Sequence, residues 1–187
     1  MSWIEETDLG NGNLPDIFRA MSLNPNALEL VKSLNEGLAF GGSKLHRAQE
    51  EAIATVVSNA NRCRYGTLTH AGFLRRQAED DDLVLDILHN YTSADLSEAD
   101  RAMLDFAVRL TLEPSSVTRG HLDGLRDVGF EDTEVLAIVL TTCLVNFMNR
   151  LADGLGVDVP PSYHQSVLEW LNGPAAEQEW LVEPKEE

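Results

Sequence analysis

Glu51, Cys63 and His70 are the residues of this chain whose types and spacing could do chemistry together. A carboxylate, a thiol and an imidazole are the parts of a nucleophile served by a base and an orienting acid. Asn61-Arg62-Cys63-Arg64-Tyr65-Gly66 predicts a helix starting near the cysteine, one that carries His70 on the thiol's face. At 100° per residue, Cys63, Gly66, His70 and Phe73 fall within about 80° of one another. A cysteine in a first helical turn, flanked here by Arg62 and Arg64, is placed for thiolate character. His70 lies two turns on, roughly 10 Å of rise, which is too far for a direct hydrogen bond to that sulfur. Position 66, one turn from His70, is a glycine.

Each of these residues also has a plainer reading. A single cysteine near a helix start is commonly half-buried and inert, and a histidine such as His70 is commonly a surface residue or one satisfied by a carbonyl. Glu51 lies at the flank of an apolar stripe, where nothing local separates it from Glu50. Cys143 falls inside the apolar stripe of a later helix and is read as a core thiol. His46, His89, His121 and His164 show no H-x3-H, H-E-x2-H or C-x2-C partner spacing, so no metal is expected. No phosphate-binding glycine loop is present either, Gly10-Asn11-Gly12-Asn13 reading as a turn, and no cofactor is expected.

The elements that must position these groups are all helical. No segment sustains period-two alternation, and the class expected is all-α. Leu45, Ala48, Ala52, Ile53, Val56, Val57 and Ala60 form the stripe of a core-facing helix. Leu136, Leu140, Cys143, Leu144, Phe147, Met148 and Leu151 form that of a longer one over 131–152, predicted to be the central helix. Further helices are predicted over 26–39, 65–77, 81–91, 98–112 and 116–128. Asn24-Pro25, Asp80-Asp81-Asp82 and Ser97 with Asp100 mark starts, and Gly129 and Pro114 mark breaks. Trp3, Trp170 and Trp180 all lie near the termini, so those ends are expected to dock on the domain or a neighbouring subunit, with only 183–187 loose.

The chain has 187 residues, 43% of them hydrophobic, enough for one self-sufficient core. One domain over 1–187 is expected, with its core at about 26–160 and the segments 1–25 and 161–187 docked. A net charge of −17 repels phosphate backbones and anionic lipid, which argues against nucleic-acid and membrane partners. The run Val135 to Val145 is shorter than the roughly 20 residues of a membrane span. Two unpaired-looking cysteines and an acidic amino terminus lacking an apolar leader suit a cytoplasmic protein.

Three blocks carry a family resemblance: Gln49-Glu50-Glu51-Ala52-Ile53-Ala54 with Val57-Ser58; Asn61-Arg62-Cys63-Arg64-Tyr65 with His70; and Asn146-Phe147-Met148-Asn149-Arg150-Leu151-Ala152 running on to Leu155-Gly156-Val157 and Pro160. They resemble the peroxidase-related, alkylhydroperoxidase-like branch of the AhpD-like and carboxymuconolactone decarboxylase superfamily, whose signature is E-x11-C-x-x-C-x3-H. The resemblance implies an all-α AhpD-like domain with a docked C-terminal extension, assembled as a homo-oligomer: a dimer, trimer or hexamer. It also implies that Glu51 is the relay acid, Cys63 the outer thiol and His70 the base, with Gly66 where the inner thiol belongs.

Three functions then stand open. One is an antioxidant oxidoreductase, a one-cysteine peroxidase at Cys63 whose sulfenic acid is resolved by an external thiol reductant or by Cys143. The second is a decarboxylase-like acid/base enzyme on a small organic acid or lactone, with Glu51 or His70 as proton shuttle. The third is an oligomeric helical module with a decayed site. A cavity of about 300 Å³ or more beside Glu51, Gly66 and His70 favours the readings that use a ligand.

Overall fold

The computed structural model describes residues 2–8 and 14–184, and these are helical with no strand among them. The helices are α1 (Asp16–Arg19), α2 (Pro25–Leu38), α3 (Arg47–Ala60), α4 (Arg64–Ala78), α5 (Asp81–Asn90), α6 (Glu98–Leu112), α7 (Arg119–Asp127), α8 (Asp132–Leu155), α9 (Pro161–Leu168), α10 (Gly173–Ala176) and α11 (Glu179–Val182). The turn expected at residues 10–13, and 185–187 of the expected loose tail, lie outside the described residues.

The starts follow the caps legible in the sequence. Asn24, Asp80 and Ser97 accept from the amides of Ala27, Leu83 and Asp100, at 3.1, 3.0 and 3.0 Å. Among the described residues α4 ends on left-handed Glu79, and α3, α7 and α8 are followed by a left-handed residue that lets two amides turn back onto the last carbonyls. For α8 that residue is Gly156, and after α7 it is Gly129. For α3 it is Arg62, whose φ of 53° is one that glycine adopts more readily. There Arg62 N donates to the Asn59 carbonyl and Cys63 N to that of Ser58, both at 2.9 Å. Cys63 then serves as N-cap of α4, so α3 and α4 form a tight antiparallel pair.

The central helix is α3, and not α8 as the sequence predicts. Every residue from Glu50 to Ser58 is buried, with α4, α5, α6 and α8 packed around it. The inner face of α8 is Val135, Ile138, Thr141, Thr142, Val145 and Asn149. Its outer face carries Leu136 at 57% exposure, Phe147 at 45%, and Cys143, which is exposed and not a core thiol. The misreading has a physical cause: three polar residues occupy the buried stripe, and Thr142 satisfies its hydroxyl on the Ile138 carbonyl at 2.7 Å. With 24 residues α8 is also longer than the apolar run singled out above, and by length and composition alone it could cross a membrane. Half of its apolar window is covered by the other helices, as in the core helix of a globular domain.

The C-terminal helices lie against α4 and α5. Buried Arg64 donates from Nε to the Leu181 carbonyl at 2.8 Å and pairs through Nη1 with Asp158. Tyr163 donates to the Leu68 carbonyl at 3.1 Å, its hydroxyl occupying the space a side chain at Gly72 would need. At the other end, Trp3 N donates to the Leu155 carbonyl at 2.7 Å and its ring covers Gly156, yet the side chain stays 59% exposed.

Candidate acid–base site

Glu51 and Glu50, indistinguishable in the sequence, have separate tasks. Glu50 turns away from His70 and accepts from Ser43 Oγ at 2.6 Å and from Gly41 N at 3.2 Å. It thereby fixes the loop that carries Phe40, a non-glycine residue held at φ 55°. Glu51, with no solvent exposure, divides its two oxygens. Oε1 accepts from Arg47 Nε at 2.8 Å, one turn back on the same helix, and Oε2 lies 2.7 Å from His70 Nδ1 on α4. Accepting from Nδ1–H leaves Nε2 as the free acceptor of the imidazole.

The ring is held by two aromatic neighbours. Phe40 stacks on it at 5.3 Å between centroids, and Phe73 meets it edge-on at 6.0 Å. The Arg47 guanidinium lies over the Phe40 ring, 4.9 Å from its centroid. Burial and pairing together hold base, acid and cation in one geometry.

His70 and Arg47 line a cavity of ≈ 230 Å³, closed by Phe40, Phe73, Phe18 and Met148. Its volume falls short of the roughly 300 Å³ expected for a drug-sized ligand, which restricts it to a smaller one. It adjoins an open groove of ≈ 370 Å³ across Tyr65, Thr69 and Phe73. Burial pushes the Tyr65 phenol up to about 12, so this wall stays uncharged. A larger hollow, ≈ 650 Å³ between α6 and α7, is lined by residues such as Asp105, Arg109 and His121 and includes neither Glu51 nor His70. Among the described residues no three His, Cys, Asp or Glu side chains gather as a metal site would need.

The two sulfur expectations come out differently. Cys63 stands at the start of α4, as predicted, but it is not at the rim of the cavity. It is fully buried in a cluster with Ile17, Ala20, Ala152 and Val157, and its thiol donates at 3.8 Å to the Asn149 carbonyl. Arg64, expected beside the thiol as a positive neighbour, is bound instead to Asp158 and Leu181. Nor is Gly66 an empty place. A Cβ there would lie 2.5 Å from both Ser58 Oγ and Asn149 Oδ1, which are joined by a 3.1 Å hydrogen bond. The polar pair fills the volume that a second thiol would occupy.

Arg47 and Phe40 were not singled out in the sequence, and Ser58 and Asn149 stood there only within the blocks of the family resemblance, with no role assigned to them. Arg47 was within reach, since it precedes Glu51 by the four-residue spacing of a helical ion pair. Phe40 comes from a loop and Asn149 from a helix far along the chain, and neither carries a local signal. Asn149 also lines the cavity, and its buried Nδ2 has no protein partner.

No family model and no curated protein matches this sequence. Solved structures do. A peroxidase-related protein from Silicibacter sp. TM1040 is 30% identical, with 82% of this chain and 80% of that one covered at a TM-score of 0.77. A peroxidase-related protein from Ralstonia eutropha JMP134, described as an alkylhydroperoxidase AhpD core, is 25% identical, covering 82% and 81% at a TM-score of 0.76. A variant of the debrominase Bmp8, solved in complex with 2,3,4-tribromopyrrole, shares the fold alone at 19% identity, covering 86% and 84% at a TM-score of 0.71. The chain belongs to the AhpD-like superfamily, on its peroxidase-related branch.

Proposed function

We propose that the protein is an acid/base enzyme in which Nε2 of His70, oriented by Glu51, moves a proton on a small and mostly apolar organic substrate. The observation that carries this is the 2.7 Å contact between Glu51 and His70 at the wall of a cavity that Cys63 does not line. Asn149 borders the same cavity, with its Nδ2 buried and without a protein partner. A carbonyl compound or lactone with an acidic C–H suits this set: His70 takes the proton and the phenylalanines hold the body.

The thiol-peroxidase reading rests on family membership and on Cys63 at a helix start. It requires peroxide to reach a sulfur with 0% exposure behind Ile17 and Ala20, so α1 would have to lift away. The cavity of ≈ 230 Å³ falls short of the volume that would favour ligand use over a non-catalytic module, so the paired acid and base at its wall are what support chemistry here.

The test is proton exchange. Small lactones and keto acids are incubated in D2O with the enzyme, and C–H to C–D exchange is followed by NMR. Exchange is expected for at least one compound, reduced about 10²- to 10⁴-fold by His70→Ala. No exchange across the panel, together with peroxide turnover abolished by Cys63→Ser, would sink the proposal in favour of thiol chemistry.

A further inference from the structure

Ile17 belongs to two places at once. Its buried side chain packs with Cys63 in the small apolar cluster of Ala20, Ala152 and Val157, and it also lines the cavity that holds His70. Phe18 and the N-cap residue Pro15 line that cavity too. One element, α1, is therefore both a wall of the acid–base site and the cover of the buried thiol, and moving it uncovers both.

Few contacts fasten this element. Its buried side chains are Ile17 and, at the C-cap, Ala20. Arg19 pairs with Asp16 and, at 2.8 Å, with Glu6, but its side chain is 42% exposed and ion pairs so placed add little. The backbone of Ile17 also hydrogen-bonds the Tyr65 phenol. By contrast α3 is buried from Glu50 to Ser58, with four helices packed around it. An element held by few buried apolar contacts opens at a smaller cost in free energy than the domain unfolds.

We propose that α1 is a lid shared by the cavity and Cys63, which opens as a unit while the rest of the fold stays intact, so that a ligand seated against Ile17 and Phe18 holds it shut and shields the thiol. The ligand half rests on the reading of the cavity as a substrate site, and the lid half does not. The sign follows from linkage. A ligand that binds only the closed state lowers the open population, and with it the rate of thiol labelling, by one plus the ratio of free ligand to Kd.

The experiment follows labelling of Cys63 by a disulfide reagent in full-length Cys143→Ser protein, where it is the sole thiol. The rate is expected to stay nearly flat in urea below the unfolding transition, because opening α1 exposes little surface. Phe18→Ala should raise it about tenfold with little change in the urea midpoint. Leu122→Ala, which thins the core contacts of α7, should lower the midpoint and leave the rate alone. Phenylacetone, a ketone with an acidic C–H and an apolar body, is the ligand probe. Its binding is read by saturation-transfer NMR, and at about ten times its Kd labelling should slow about elevenfold. A rate that climbs with urea as steeply as global unfolding, one that Phe18→Ala leaves unchanged, one that Leu122→Ala speeds, or phenylacetone that binds without slowing it would each overturn the proposal. Phenylacetone that fails to bind, beside a flat urea dependence and a faster Phe18→Ala, would count against the cavity as a ligand site and uphold the lid.

Discussion

His70 Nδ1 lies 2.7 Å from Glu51 Oε2, and the carboxylate's other oxygen is occupied by Arg47. With both oxygens engaged the carboxylate has little freedom to turn, and the imidazole presents Nε2 outward. Replacing Glu51 by alanine leaves Arg47 and His70 without their shared partner. The expected loss is about 3 kcal/mol, the low end for a broken buried pair because the Arg47 side chain is partly exposed, read from urea denaturation. Glu51→Gln should retain much more stability while still impairing proton exchange.

Gly66 is closed in by Ser58 and Asn149. Gly66→Cys is therefore expected to destabilise by about 1–3 kcal/mol and to add no peroxidase activity. Ser58→Gly should relieve part of that cost in the double variant. A stable Gly66→Cys protein with rapid peroxide turnover would contradict the packing described.

The two thiols differ in access. A disulfide reagent should titrate one thiol in the native protein and two in guanidinium, and Cys143→Ser should remove the native one. Rapid native labelling of Cys63 would show that α1 opens readily.

Alkaline titration probes the walls of the fold. Burial pushes Tyr65 and Tyr91 up to about 12, aided in Tyr91 by the hydrogen bond to Asp105, and burial also raises Tyr163. These are all the tyrosines of the chain. A phenol whose folded pKa exceeds its unfolded value of about 10 stabilises the fold below that pH, and the contribution disappears as pH rises through about 12. Ultraviolet absorbance of phenolate should show Tyr65 and Tyr91 still protonated near pH 10, their phenolate appearing together with unfolding between about 10 and 12.

Arg64 is buried and depends on Asp158 and the Leu181 carbonyl. Asp158→Ala strands its charge and should cost about 3–5 kcal/mol, whereas Arg64→Met should cost much less. Thermal melts of the two variants separate a stranded charge from a lost contact.

Much of the helical framework could be read directly. Residues 98–112 form a helix where predicted because Ser97 caps one end and Pro114 forbids continuation at the other. Which side of a helix faces inward was harder. In α8 the buried Thr142 bonds to its own helix backbone and Asn149 to Ser58, so polarity did not mark the outside. For the site, the family motif brought Glu51 and His70 together, but spacing alone could not have done so across two helices. The depth of Cys63 depends on α1 and on the turn after α8, which converge only in three dimensions.

The left-handed turn at Arg62 sets the register between α3 and α4. One residue inserted there would swing His70 about 100° around its helix axis and carry it off Glu51. Loop length, more than any side chain in the loop, is what calibrates the reach from acid to base.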